Sequence, residues 1–273
     1  MSFYLAKQAK QEGYKLTTYG SVSSTNDLAL ELLLDYKKGN IARAGDAYLP
    51  EKHWIVAEQQ LKGRGRRGRG WVSPKGNLYC SLVLYDIKTI EDCIALSYIA
   101  GISLRDSVEY FRQIYLKQEI DLSLKWPNDI LLNNKKLSGI LLEVKSLAAG
   151  LYGVVVGIGV NVAEKIENLT YQTSSLHEQG IICTPSMLFE RLSYYWLENY
   201  AIYKSPNGAE QIRNTWLAYT SCVGKHITIK LQNSTISGTF ESLDESFSCL
   251  VRLEDNNVIK VNSGDVLFGN MIS

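Results

Sequence analysis

The chain has 273 residues, 45% of them hydrophobic and 21% charged, so it is long enough to bury a large core and to carry a second, small domain. Its 29 basic and 28 acidic residues leave a formal net charge of +1, which excludes a global field that would draw the protein to DNA or to an anionic membrane. Any function that depends on positive charge must therefore be local.

The first half of the chain is predicted to alternate helices and strands. A helix of roughly three turns is predicted to begin at 24–27, where Ser, Thr, Asn and Asp supply capping chemistry, and to stop at 37–39. Strands are predicted at 53–57 and 78–84, on either side of a loop rich in glycine and arginine. A long helical pattern then occupies 91–117.

The second half adds more strands, two helices and a β-rich tail. Strands are predicted at about 120–126, 129–133, 137–144 and 151–160, with a hairpin turn at Asn133-Asn134-Lys135. Residues 185–219 are predicted to form two helices separated by a break at 204–208. From about residue 221, short β-rich runs alternate with turn signals, which predicts a small all-β barrel or sandwich.

The cysteines and histidines do not suggest a metal or a disulfide. The five cysteines and three histidines are scattered, without a C-x-x-C pair. The N-terminus has no apolar signal sequence, and the run LYGVVVGIGVNV at 151–162 is too short and too rich in glycine to span a bilayer. These features predict a cytoplasmic protein without a membrane segment.

The stretch GRGRRGRGW at 63–71 contains a literal G-x-G-x-x-G, formed by Gly63, Gly65 and Gly68. A dinucleotide-binding fingerprint needs a helix directly after the glycines, whereas a strand is predicted here, so that interpretation fails on context. Neither this run nor GIGVNV at 157–162 continues into the Gly-Lys-Ser/Thr of a Walker loop.

Five positive charges lie close together in the same loop, at Lys62, Arg64, Arg66, Arg67 and Arg69. Such crowding costs repulsion unless an anion is present, and arginine offers bidentate bonds to phosphate. Because glycine makes the loop mobile, we expect it to close over a bound anionic small molecule. A solvated linker and a nucleic-acid-binding arm are the alternatives.

The stretch LKWPNDI at 124–130 is the second informative one. Lys125 lies in a strand-like run next to Trp126, and Pro127 redirects the chain because it cannot donate to a β-ladder. Lys125 is therefore interpreted as a fixed cation. The alternative is an edge-strand lysine that prevents aggregation.

Four blocks, in this order, resemble those of the biotin protein ligases, also called biotin–acetyl-CoA-carboxylase ligases: SSTND at 23–27, QQLKGRGRRGRGW at 59–71, KWPNDILLNNKKLSGILLE at 125–143 and GIGVNV at 157–162. The resemblance implies an α+β fold with two parts. Residues 1–220 would form a catalytic biotin- and ATP-binding domain, a mixed β-sheet packed with helices, similar to class II aminoacyl-tRNA synthetases and to biotin and lipoate ligases. Residues 221–273 would form a small SH3-like β-barrel. The short segment before SSTND resembles the monofunctional members, which lack an N-terminal DNA-binding domain.

The resemblance also implies a reaction and a site. Such enzymes make biotinyl-5′-AMP from biotin and MgATP, release pyrophosphate, and transfer biotin to a lysine of a biotin carboxyl carrier domain. The biotin- and adenylate-binding positions of the family correspond to Ser24, Thr25, Asn26, Gln60, Arg64, Gly65, Arg66 and Lys125. Lys125 and Arg66 are expected to stabilise charge on the α-phosphate. Trp71 and Asn161 are further candidates for contact with the nucleotide, with ordinary core packing and a hydrogen-bonded core asparagine as the alternatives.

The remaining expectations concern partners. Mg²⁺ is expected to arrive with ATP and to need no dedicated protein ligand. The protein is expected to be a monomer or a weak homodimer that binds neither nucleic acid nor membrane. Two other functions stay open: a lipoate or octanoate ligase or transferase of related fold, and a nucleic-acid-binding module, which would need basic residues spread over one face with aromatic side chains nearby.

Overall fold

The computed structural model describes residues 2–38, 52–117, 119–167, 171–231, 234–262 and 264–267. Its helices are α1 (Lys7–Gln11), α2 (Thr25–Lys38), α3 (Ile90–Tyr115), α4 (Pro185–Lys204) and α5 (Gly208–Tyr219). Its strands are β1 (Lys15–Tyr19), β2 (His53–Ala57), β3 (Leu78–Ile87), β4 (Leu122–Lys125), β5 (Asp129–Leu132), β6 (Lys135–Ala148), β7 (Leu151–Val160), β8 (His226–Lys230), β9 (Thr235–Leu243), β10 (Cys249–Arg252), β11 (Val258–Val261) and β12 (Asp265–Leu267). Within these ranges no helix combines the length and the apolar composition that a bilayer crossing requires.

The first seven strands form one mixed sheet in the order β1-β2-β3-β7-β6-β5-β4. Strands β1 and β2 pair in parallel, and the other neighbours pair antiparallel. Side chains alternate between the faces of a strand. On β7, Val154 and Val156 join the core shared with α3 and α4, while Val155 packs against α2. Among the described residues, α2 packs on this face against β2, β3, β6 and β7.

The C-terminal strands form a five-stranded antiparallel sheet in the order β11-β10-β9-β8-β12. It docks on α3 and α5 through apolar contacts. The Tyr98 hydroxyl donates a hydrogen bond to the Phe247 carbonyl (2.6 Å), and the rings of Trp216 and Phe240 lie 6.4 Å apart. The expected α+β fold, a mixed sheet packed with helices together with a small C-terminal antiparallel sheet, is confirmed, and the domain boundary at residue 220 stays a prediction.

Several local predictions are also confirmed. The Asp27 backbone amide donates to the Ser24 hydroxyl (3.4 Å), as expected for a helix that starts there. Asn133 and Asn134 have φ values of 51° and 60°, as in the tight hairpin turn predicted between β5 and β6. The short elements α1 and β1 were not predicted. Gly39, part of the predicted stop signal of α2, lies outside the described residues.

Candidate functional site

A cavity of about 710 Å³ lies on the α2 side of the main sheet, beneath the arginine-rich loop. This volume is within the range of small-molecule sites. Its lining includes nine of the ten residues proposed from the sequence, namely Ser24, Thr25, Asn26, Gln60, Arg64, Gly65, Arg66, Trp71 and Lys125. Gly157, Ile158 and Gly159 line it too, so four separate stretches of the chain meet at one site.

Asn161, the tenth candidate, is not among the lining residues, and its contact with the nucleotide stays a prediction. Its side chain is 2% exposed and its amide donates to the Ser174 carbonyl (3.1 Å). Its backbone amide donates to the Leu137 carbonyl (3.0 Å). Asn161 is therefore a hydrogen-bonded core asparagine that holds the segment after β7 in place.

One wall of the cavity is a network of uncharged polar groups. The Gln60 carbonyl oxygen accepts hydrogen bonds from the Thr25 backbone amide (2.8 Å) and hydroxyl (3.1 Å). The Gln60 amide donates to the Ser73 hydroxyl (3.0 Å). The Ser81 hydroxyl lies 2.6 Å from the Asn26 side-chain oxygen. This wall is organised before any ligand arrives and suits a neutral polar group.

The floor of the cavity is made of glycines on β6 and β7. A Cβ atom at Gly157 would lie 2.0 Å from the Asn26 side-chain oxygen, and one at Gly159 would lie 2.5 Å from the Trp71 indole nitrogen. Gly139, which pairs with Gly159 across the two strands, lies beneath the same indole. Glycine inside a strand indicates a close approach of other groups, so the sequence does contain a signal for this floor. The prediction from the sequence treats the run GIG at 157–159 only as part of a motif.

Two lysines bring positive charge to the opposite side of the cavity. Lys125 ends β4, which is an edge strand, yet the side chain is only 4% exposed and lines the cavity, so it does not serve as a surface charge against aggregation. The Lys136 ammonium lies 2.7 Å from Asp129 Oδ1 and near the rings of Trp71 (5.5 Å) and Tyr171 (5.1 Å). Lys136 lies in the block 125–143, but no role is predicted for it from the sequence.

A β-bulge brings Lys136 to the cavity. Leu131 pairs with Lys136 whereas Ile130 pairs with Ser138, so Leu137 is left without a partner on β5. The extra residue changes the phase of the side-chain alternation. Leu137 enters the core, and Lys136 shares the cavity side with Gly139.

The arginine loop is folded as a narrow hairpin. The Trp71 backbone amide donates to the Gly63 carbonyl (2.8 Å), and Arg64 pairs with Gly70 in an isolated bridge. A short 3₁₀ turn, Arg66–Gly68, forms its tip. The loop therefore has a neck near the polar wall, where Gly63 and Arg64 face Gly70 and Trp71. Its tip lies near the C-terminal sheet.

Carboxylates of the protein itself compensate most of the positive charge of the loop. Arg64 lies 2.8 Å from Asp27 and 2.8 Å from Glu143, while Arg67 (3.1 Å) and Arg69 (2.9 Å) share Asp265. Contacts within the chain thus relieve the expected repulsion. None of these carboxylates is close to the loop in sequence.

Arg66 is the most buried of the loop arginines, and it lines the cavity. Its guanidinium donates to the Asn128 side-chain oxygen (2.9 Å) and to the Gly264 carbonyl (3.3 Å), both of which are neutral acceptors. Burial lowers the pKa of Arg66, and the charges of Asp265 and Asp129 partly oppose this effect. Because an arginine still keeps its proton, Arg66 adds a preoriented positive charge to the cavity.

The buried position of Lys125 predicts a pH dependence. Burial lowers the pKa of Lys125, the charge of Asp129 raises it, and nearby Lys136 lowers it, with a net decrease. If the ammonium form of Lys125 stabilises a reacting anion, kcat should fall as the pH rises. This fall should begin at a pH below the ordinary pKa of lysine. A pH profile of kcat measures this, and a Lys125→Arg variant with residual activity should lose that alkaline limb because arginine does not titrate there. An alkaline limb that is identical in both proteins would contradict the prediction.

The comparisons with known proteins agree on one family. The model of the biotin/lipoate A/B protein ligase family matches residues 44–161. The chain is 32% identical to the biotin–[acetyl-CoA-carboxylase] ligase of Paracoccus denitrificans over 225 residues, which covers 79% of this chain and 90% of the relative. It is 27% identical to the bifunctional ligase/repressor BirA of Escherichia coli over 255 residues, or 91% of this chain and 72% of that protein.

Solved structures of biotin protein ligases are also similar to this chain. A mutant of the biotin protein ligase from Aquifex aeolicus in complex with biotin is 25% identical, with a TM-score of 0.73, 93% of this chain covered and 99% of that one. The biotin protein ligase from Aquifex aeolicus in complex with biotin and ATP is 24% identical, with a TM-score of 0.71 and coverage of 93% and 97%. At this level of identity, the second likeness concerns the fold alone.

Proposed function

From the premise that this chain belongs to the biotin protein ligase family and catalyses the ATP-dependent ligation of biotin to protein, we propose that the cavity beneath the arginine loop is where biotin and ATP react. One observation carries this proposal. A single cavity joins a neutral polar wall to a cluster of three cations, Arg66, Lys125 and Lys136. The reaction needs both, since biotin combines an uncharged ring with a carboxylate that must meet a phosphate.

In this proposal, the ring of biotin lies against the polar wall. Thr25, Asn26 and Gln60 offer donors and acceptors that suit a ureido group, and the glycines of the floor let the side chains of Asn26 and Trp71 lie close to the sheet. Trp71 closes this compartment from the side of the loop. Its indole lies over the two strands that form the floor, so the alkyl chain of biotin would run along its edge toward the cations.

The cations are placed around the reacting groups. The carboxylate of biotin attacks the α-phosphorus of ATP, pyrophosphate leaves, and the product is the mixed anhydride biotinyl-5′-AMP. Two anions must come together in this step, so catalysis consists of positioning and of stabilising negative charge on the phosphoryl oxygens. Lys125 and Arg66 fill this role, and Lys136 supports it. The amine of an acceptor lysine then attacks the anhydride carbonyl, and AMP leaves.

Mg²⁺ is proposed to enter with the triphosphate and to keep most of its water ligands. The two carboxylates in the cavity lining are already engaged, Asp129 with Lys136 and Asp265 with Arg67 and Arg69. In the part of the chain that the structure describes, no three His, Cys, Asp or Glu side chains form a cluster that could hold a metal ion. When bound to ATP, the ion neutralises phosphate charge and makes pyrophosphate a better leaving group.

The acceptor is proposed to be the carrier domain of a biotin-dependent carboxylase, as the name of the Paracoccus relative indicates for that protein. The proposed location is the cytoplasm. All five cysteines are unpaired and buried, which suits a reducing compartment.

A lipoate or octanoate ligase or transferase is the second candidate, because the matching family model covers lipoate ligases too. Pyrophosphate release from ATP, measured with biotin or with lipoate as the only acid, separates the two. Biotin-dependent release followed by labelling of a carrier domain supports the proposed function. Release that requires lipoate, or no release with either acid, would refute it.

The C-terminal domain is proposed to hold the tip of the loop through Asp265, and an Asp265→Asn variant tests this. Partly exposed ion pairs are worth about 0.2–1 kcal/mol each, and this change weakens two of them, so we expect KM for ATP to rise about 2- to 5-fold. KM for biotin should change less. Glu254→Gln, which alters an exposed carboxylate of the same domain, is the control. An unchanged KM for ATP in Asp265→Asn would count against a role of this contact.

A further inference from the structure

Glu143 on β6 lies behind the cavity wall and does not line the cavity, yet both of its oxygens bond to residues that do. Its Oε1 accepts from Arg64 Nη1 (3.1 Å), and its Oε2 accepts from Arg64 Nη2 (2.8 Å). The same Oε2 accepts from Asn26 Nδ2 (2.8 Å). One carboxylate thus joins the polar wall to the neck of the arginine loop.

The carboxylate determines which way the Asn26 amide faces. An ionised carboxylate only accepts hydrogen bonds, so the amide must turn its nitrogen toward Glu143. The oxygen of Asn26 then faces Ser81, whose hydroxyl donates to it at 2.6 Å. The same amide nitrogen makes a longer hydrogen bond to the Leu141 carbonyl (3.5 Å), and Asn26 lines the cavity. A flipped amide would exchange the positions of its nitrogen and oxygen.

The same carboxylate anchors the loop. Both terminal nitrogens of Arg64 bond to Glu143 in a bidentate pair, and Arg64 also forms the bridge with Gly70 that closes the neck. Asp27 adds a second carboxylate to the same guanidinium at 2.8 Å. The charge of Arg64 is therefore used within the protein, which favours an anchoring role for Arg64 over direct contact with phosphate.

We infer that Glu143 is a positioning residue that sets the orientation of the Asn26 amide and the position of the loop neck together, so that the biotin subsite and the loop above it form as one unit. This inference rests on the proposed function, because it assumes that biotin occupies the wall formed by Asn26. Arg64 and Asn26 come from different parts of the chain, and Glu143 is the group that contacts both.

Substitutions at Glu143 test the inference through KM and kcat. We expect Glu143→Ala to raise KM for biotin about 10-fold with kcat nearly retained, because a buried amide loses its orientation and its charged partner. Glu143→Gln keeps the size and one acceptor oxygen, so the expected rise is smaller, about 3-fold. Lys145→Ala, at an exposed position two residues along the same strand, should leave KM for biotin unchanged.

Coupling to the loop is measured in an Arg64→Ala background. If one carboxylate serves both partners, Glu143→Ala should raise KM for biotin by a smaller factor there than in the wild-type background, since the anchor is already lost. Equal factors in both backgrounds would overturn the coupling. A Glu143→Ala protein with a lower melting temperature but an unchanged KM for biotin would show a structural role only and would overturn the whole inference. Absence of biotin-dependent pyrophosphate release in the wild type would instead refute the proposed function.

Discussion

Replacing Lys125 with methionine is expected to slow biotin-dependent release of pyrophosphate by about 100- to 1,000-fold, the usual effect of removing one preorganised group that stabilises transition-state charge. The side chain is 4% exposed and ends an edge strand that faces the cavity. Methionine has nearly the same length and no charge, so it fits a buried site without the cost of desolvating an ammonium. The loss should therefore appear in the reaction rate and leave the fold intact.

Lys136→Met is expected to reduce the rate by a smaller factor, because this side chain adds positive charge to the same cavity but is already paired with Asp129. Lys135→Met is the matched control, since Lys135 precedes it on β6 but does not line this cavity.

Single-turnover formation of biotinyl-5′-AMP measures the chemical step in these variants, and thermal unfolding monitors the fold. A folded Lys125→Met protein with a rate within a few-fold of the wild type would remove Lys125 from the proposed mechanism.

Adding a methyl group at Gly157 is expected to raise KM for biotin about 10- to 100-fold, because a lost buried hydrogen bond costs about 1–3 kcal/mol. The new Cβ would lie 2.0 Å from the Asn26 side-chain oxygen. Gly157 sits on a central strand, opposite Ser81 on β3 and Leu141 on β6, so its backbone has little freedom to move away. The Asn26 amide must leave its place and lose its bonds to Ser81 and Glu143.

Gly153→Ala on the same strand is the matched control for this change. Its Cβ would lie 2.7 Å from the end of the Leu33 side chain, a flexible apolar group on α2 that can shift. We expect lower stability in Gly153→Ala and an unchanged KM for biotin. If Gly157→Ala binds biotin as the wild type does, Asn26 is not part of the biotin subsite.

Local patterns in the sequence were sufficient for much of the fold. Strand β2 was predicted with its observed bounds, the capping group at Ser24 set the start of α2, and the paired asparagines at 133–134 set the hairpin turn. Each of these features depends on residues within a few positions of one another, so the local sequence contains the whole signal. The same holds for the cationic loop and for the position of Lys125 at a strand end.

Other features depend on residues that are distant in sequence, so they follow from the three-dimensional arrangement of the chain. The carboxylates that compensate the loop arginines include Glu143 and Asp265, which no local pattern connects to the loop. The bulge at Leu137 turned Lys136 into the cavity, because one extra residue reverses which side chains face the site. Asn161 was predicted to lie near the nucleotide, but its side-chain amide donates a hydrogen bond in the core to the carbonyl of Ser174, thirteen positions along the chain. Local residue patterns therefore predicted most of the elements, the motifs and the family, whereas long-range pairing of charges and strands set which side chains share the site.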